Sequence, residues 1–203
     1  MLCCMEVGLL NSDSIYDEFI KIGVIISGHF ILSSGLHSDT YVQCARLFEN
    51  PALAVKFCSL LAEKINKVLP NIDMIVSPAI GAITVGYEIA RQLEISNVFC
   101  ERVNGIFVLR RGFEIKKSSQ VLIVEDVITT GKTSMEVVNC VKSNGGTVVA
   151  GAALVKRSKD VRLPFPIISL LELNVKSYVD EDIPEYLRRI PVSTPGSRKY
   201  LSE

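Results

Sequence analysis

The apolar residues of this chain change rhythm along its length. Between Asp13 and Ile22 they recur at Ile15, Phe19 and Ile22, the spacing of one helical face, so a helix is predicted with Asp13 or Ser14 at its N-cap and Gly23 at its end. Gly28 to Arg46 read as two short strands about a Ser-Ser-Gly turn, a hairpin-like hood. Pro51 suits the first turn of a second helix, which Leu53, Phe57, Leu60, Leu61, Ile65 and Leu69 carry to its end.

Beyond this point short apolar runs alternate with helical patterns. Met74 to Val76 is a strand closed by Ser77-Pro78, and Gly81 to Leu93 a helix. Asn97 to Glu101 and the wholly apolar Val121 to Val124 are strands, and Lys132 to Ser143 is a helix stopped by Gly145-Gly146. Thr147 to Val155 and Ile167 to Leu171 complete the strands. Continuous apolar strands alternating with helices predict an α/β fold, a mostly parallel sheet flanked by helices on both faces. We expect a single domain over 1–203, with hood elements from about 13–46. Residues 102–120 lack a clear period and are rich in Arg, Lys and Gly, which predicts a long loop or mobile ribbon. From Asp180 onward a short helix (IPEYLRRI) and a Thr-Pro-Gly-Ser-Arg tail suggest no role.

Lys plus Arg and Asp plus Glu both total 22 in the 203 residues, so the net charge is zero, which argues against a general nucleic-acid binder. The six cysteines form no Cys-x-x-Cys pair, and His29 and His37 share no ligand-spaced cluster with them. Buried free thiols in a reducing cytoplasm are the expectation. The two histidines are expected to be structural, with His37 the better candidate for facing a substrate. The run from Met1 to Leu10 contains Glu6 and lacks a basic start, so it does not read as a signal peptide. No apolar run reaches the ~18 residues of a membrane span.

The chemistry concentrates between Val121 and Thr133. A buried strand leads into Glu125 and Asp126, then Val127, Ile128, Thr129, Thr130, Gly131, Lys132 and Thr133 run into a helix. Ligands of open parallel sheets bind outside the carboxyl ends of the strands, and a helix N-terminus there favours a phosphate. The threonines add hydroxyl donors, and Gly131 lets the backbone approach an anion. Two carboxylates beside a phosphate site suit sugar hydroxyls, or a divalent cation. Together these describe a site for ribose 5-phosphate. Gly131-Lys132-Thr133 looks like the end of a nucleotide P-loop, but that motif needs Gly where this chain has Asp126. Simple helix capping needs one such residue, and the stretch holds five.

This segment resembles the PRPP-binding signature of type I phosphoribosyltransferases, where PRPP is 5-phosphoribosyl-1-diphosphate. Gly28–Gly35, Asp39–Cys44, Ser77–Gly81 and Ala153–Arg157 further resemble the orotate phosphoribosyltransferase family, and the likeness runs from about Asp13 to Leu171. The resemblance implies phosphoribosyl transfer from PRPP to orotate, giving orotidine 5′-monophosphate and diphosphate in pyrimidine biosynthesis. It also implies a magnesium cofactor with no direct protein ligand assigned, and a cytoplasmic homodimer whose partners complete each other's sites. By motif, Glu125 to Thr133 would bind PRPP, Thr129 and Arg157 orotate, and Ser77 to Gly81 the diphosphate. Arg102, then Arg110 or Arg111, would hold diphosphate in the catalytic loop.

The chain departs from the family pattern at several points. Many members carry Lys where this chain has Ser33 and Gly81, and Lys and His in the loop, where Val103 follows Arg102 and the cations are Arg110, Arg111, Lys116 and Lys117. The resemblance leaves two alternatives: a phosphoribosyltransferase for another base, or a non-catalytic PRPP-binding regulator.

Overall fold

The computed structural model describes residues 11–158 and 160–195. The N-terminal run with Cys3 and Cys4, Lys159 and the tail from 196 lie outside the described residues. The elements in chain order are α1 (Ser12–Lys21), β1 (Ile25–Ile31), β2 (His37–Val42), a 3-10 turn (Cys44–Glu49), α2 (Pro51–Val68), β3 (Met74–Pro78), α3 (Ile83–Leu93), β4 (Ser96–Val103), β5 (Ile106–Leu109), β6 (Gln120–Ile128), α4 (Lys132–Ser143), β7 (Thr147–Lys156), β8 (Ile167–Glu172), a second 3-10 turn (Asp180–Asp182), α5 (Glu185–Arg188) and β9 (Val192–Ser193).

The strands form a six-stranded sheet, β5-β4-β3-β6-β7-β8, and a three-stranded hood, β2-β1-β9. In the large sheet only the β4–β5 pair is antiparallel. Side chains alternate across a strand, so β6 feeds both cores. Leu122 and Val124 join the core under α2 and α3, while Val121 and Ile123 join the one under α4. Phe19 of α1 meets Phe57 of α2 edge-on at 4.9 Å, both fully buried. Such a contact adds about 1 kcal/mol beyond the burial itself. Among the described residues no helix is long and apolar enough to cross a membrane.

The helix starts follow their caps. Asn11, rather than Asp13 or Ser14, caps α1, its side chain accepting from Ser14 N. Asn50 accepts from Ala52 and Leu53 N ahead of Pro51. Cys44, Cys58, Cys100 and Cys140 are buried and free.

Three elements differ from the sequence reading. Residues 102–120 are not one long loop but begin as a two-stranded ribbon, because β4 continues to Val103, turns at Asn104-Gly105 and returns as β5. Both turn residues have positive φ, 49° and 83°, the geometry for which Asn-Gly is a hairpin signal. The remainder is anchored, with Phe113 edge-on to Phe99 at 5.1 Å and Ile115 buried. Strand β6 runs past Val124 to Ile128 because its pairing with β7 continues to Ile128 opposite Lys156. Residues 180–195, in the stretch to which the sequence assigned no role, close the hood together with Tyr178 just before them. Tyr178 exchanges both backbone hydrogen bonds with His37, β9 adds to β1, and Leu187 is fully buried.

His37 does not face a substrate cleft. It is buried, with Nε2 2.7 Å from Asp180 Oδ1 and Nδ1 2.7 Å from His29 Nε2. His29 Nδ1 in turn lies 3.2 Å from the Ile190 carbonyl oxygen. The pair therefore ties the hood to the C-terminal segment.

Helix α3 lies close against β3 at Gly86, where an added Cβ would stand 2.0 Å from Ser77 Oγ and 3.0 Å from Ser77 Cβ. Gly86→Ala should cost about 1–3 kcal/mol by forcing the helix off the sheet, which urea unfolding would show as a lower midpoint.

Candidate active site

Strands β3 and β6 are neighbours, yet the chain leaves them on opposite sides: β3 leads through α3 to β4, and β6 through α4 to β7. A crevice at such a switch point is where open α/β sheets bind ligands. Both α3 and α4 begin there without a side-chain cap. Beyond the bonds that Ile83 N makes to Ile80 O and Lys132 N to Thr130 Oγ1, the N–H groups of their first turns and their positive dipole ends are left for an anion.

Residues 129–133 form the approach to α4. Thr129 and Thr133 are half-buried, Thr130 and Lys132 exposed, and Thr130 Oγ1 accepts from Lys132 N at 3.3 Å. Gly131 has φ 78°, and a Cβ there would meet Leu163 Cδ2 at 2.8 Å. Left-handed backbone and close packing thus require this glycine, in addition to the approach of an anion inferred from sequence. Val127 and Ile128 finish the strand, Ile128 in the core.

Because β6 includes Glu125 and Asp126, the two carboxylates leave it on opposite faces. Asp126 turns toward the diphosphate-turn candidate: a Cβ on Gly81 would lie 3.0 Å from Asp126 Oδ2. Cys44 Sγ donates to the Asp126 carbonyl at 3.5 Å, tying the end of the hood to this strand. Burial pushes the Asp126 carboxyl up, against the backbone N–H groups of Val127 and Asp126 itself. Glu125 turns toward α4, is 5% exposed, and accepts a hydrogen bond from Ser134 Oγ. Its burial raises it to about 7, with Ser134 opposing the rise and Asp126 and Glu136 adding to it.

Arg157 leaves β7 beside this crevice, its N–H donating to the Ile128 carbonyl at 2.8 Å. Its guanidinium is half-buried and makes no hydrogen bond or ion pair among the described residues. Burial lowers its pKa while Tyr41 opposes this. Tyr41, on hood strand β2, escaped the sequence reading. Burial and Asp126 push its hydroxyl up, whereas Arg157 draws it down, so both charges act on it. Its alternation with buried Val42 was the available signal.

Two of the three loop arginines are held by other partners. Arg102 bonds the Gly105 carbonyl and Glu136, and stacks 4.2 Å from the Phe107 ring centroid. Arg111 pairs with Glu101 at 2.9 Å. Arg110 makes no ion pair among the described residues, which leaves its charge uncommitted.

A phosphoribosyl transferase domain matches residues 43–183, and the chain belongs to that family. Within it the chain is 44% identical over 191 residues to the orotate phosphoribosyltransferase of Caldicellulosiruptor bescii, covering 94% of this chain and 100% of that one. It is likewise 44% identical over 192 residues to the orotate phosphoribosyltransferase of Caldanaerobacter subterraneus, with coverage of 94% and 100%. The fold matches the crystal structure of orotate phosphoribosyltransferase from Aeropyrum pernix with a TM-score of 0.69 at 24% identity, covering 78% of this chain and 93% of that one.

The raised Glu125 carboxyl sets a stability test. Between 4.5 and about 7 the folded chain holds a proton that the unfolded chain has released, so stability should fall as pH rises through that window. Glu125→Gln should remove this slope, a difference of roughly 3 kcal/mol across the window, measured by urea titrations at its two ends.

Proposed function

We propose that this chain transfers the phosphoribosyl group of PRPP to orotate, forming orotidine 5′-monophosphate and diphosphate for pyrimidine biosynthesis. The observation that carries the choice of acceptor is Arg157, a half-buried guanidinium at the crevice without a partner among the described residues. A planar carboxylate suits its fork, and a neutral base would leave it unpaired. The named relatives point the same way.

In this reading the 5′-phosphate sits on the uncapped start of α4, with Thr129, Thr130 and Thr133 donating hydroxyls. Glu125 and Asp126 accept from the ribose hydroxyls. Diphosphate lies against the turn at Ser77–Gly81 and the uncapped start of α3. Orotate N1 bonds to the ribose C1 carbon as the bond from C1 to the diphosphate oxygen breaks, and the N1 proton passes to the departing diphosphate or to solvent. Positive charge builds on the sugar and negative charge on the leaving group. The released diphosphate can itself take the N1 proton, so the step needs no strong general base from the protein.

The oxygen-rich lining and the side-chain-free position at Gly81 suit a hard cation carried on PRPP's own oxygens. Magnesium would offset charge on the diphosphate, and we assign it no direct protein ligand. Arg110, unpaired among the described residues, suits the leaving group better than Arg102 or Arg111 do in this conformation.

We further propose a cytoplasmic homodimer. Buried free thiols suit a reducing compartment, and Ile80 and Tyr87, 85% and 62% exposed, offer apolar surface for a second copy. Sedimentation at micromolar concentration should show twice the chain mass.

Mixed with PRPP, magnesium and a panel of bases, the protein should consume orotate and release diphosphate. Turnover with adenine or uracil instead would favour another base, and binding without turnover a regulator. Arg157→Ala should raise the KM for orotate by about 10- to 100-fold and change the KM for PRPP by less than about twofold.

A further inference from the structure

We propose that Ser134 is a positioning residue for phosphoribosyl transfer, its hydroxyl keeping the Glu125 carboxylate oriented and ready to accept from the ribose of PRPP. This rests on the reading of the switch-point crevice as the PRPP site. Helix α4 turns Ser134, Val137, Val138 and Val141 inward, the i, i+3, i+4, i+7 stripe of a buried helix face. All four are buried, and Ser134 is 0% exposed. On β6, Glu125 likewise continues the row of Val121 and Ile123. Two apolar rows therefore face each other, and each ends in a polar group next to the crevice.

A hydroxyl or carboxylate at such a position costs free energy unless it is bonded. Two apolar groups of similar shape would pack there with little or no loss. Packing alone does not explain the pair, whereas a carboxylate needed at the strand end does. Ser134 Oγ donates to Glu125 Oε1 and is the carboxylate's one side-chain partner among the described residues.

The charged surroundings of Glu125 oppose its ionisation. Asp126 follows it on β6, and Glu136 approaches from α4, its own charge paired with Arg102 of β4. Cys100 of β4 also lies within reach of its field. Strand β3 has no titratable residue, and in β7 Lys156, opposite Ile128 at the crevice end of the strand, is paired with Glu172. With no cation paired to it among the described residues, Glu125 depends on the Ser134 hydrogen bond to favour its charged form.

The test is the pH profile of kcat/KM for PRPP in the full-length protein, with wild type, Ser134→Ala and Ser134→Thr measured in parallel. The titration of PRPP's own phosphates is then common to all three. Ser134→Ala should move the acid limb upward by about one pH unit. The loss should be about tenfold on that limb and under about twofold at pH ~9, and Ser134→Thr, which keeps the hydroxyl, should restore the profile.

A profile unchanged by Ser134→Ala, or a loss equal at every pH, overturns the proposal. Should the alanine variant fail to fold, Ser134→Cys, close in size with a weaker donor, is read by the same criteria. Carbon-13 titration of the Glu125 carboxyl, assigned with Glu125→Gln, reads the pair without turnover, and an unshifted titration in the variant also overturns it. Calorimetry of wild type with PRPP separates the two levels. No binding would sink the site assignment itself, whereas normal binding with an unshifted variant would sink only the role of Ser134.

Discussion

The parallel pairing of β3 with β6, from Met74 opposite Val121 to Val76 opposite Ile123, is the constraint on which the rest depends. These strands are far apart in sequence, and their following helices depart to opposite faces of the sheet. That divergence opens a crevice at the strand ends, and it sets two uncapped helix starts side by side. Each start offers unsatisfied N–H groups and a positive dipole end. A ligand with a phosphate at one end and a diphosphate at the other matches this geometry without any large net positive charge on the protein. The zero net charge and an anion-binding site are thus compatible, because the charge complement comes from backbone dipoles and a few placed side chains.

The same pairing explains why adjacent carboxylates play different parts. Extended backbone sends Glu125 under α4 and Asp126 toward Gly81 and the hood. One carboxylate is enclosed in an apolar layer with a serine, and the other is tied through its carbonyl to Cys44. The hood contributes Tyr41 to this second side and is held in place by the C-terminal segment. The His29–His37–Asp180 chain, the Tyr178 backbone pair and β9 make that segment part of the site's frame. Tyr186 adds a hydrogen bond from its hydroxyl to Asp39 at 2.8 Å.

Much of this architecture is legible in the order of residues. The spacing of Leu53, Phe57, Leu61 and Ile65 defines α2, and the apolar run ahead of Glu125 defines the core of β6, because burial on one or two faces imposes a period that composition records. Gly145-Gly146 and Pro51 mark boundaries through backbone chemistry alone. The β4–β5 hairpin is hard to see in the sequence because basic residues mask the Asn104-Gly105 turn. The role of the C-terminal segment is equally hidden, since a two-residue strand and a buried Leu187 leave no periodic trace.

The chain alone therefore determined the α/β class, the order of the central elements and the carboxylate–threonine–glycine stretch, all of which follow from local periodicity and residue chemistry. Only the tertiary structure decided that Glu125 and Asp126 face apart, that Arg102 and Arg111 are engaged while Arg157 is not, and that His37 belongs to a strut. Those facts depend on which distant groups meet across the sheet, and side-chain partnership between residues far apart in sequence leaves no mark in local pattern.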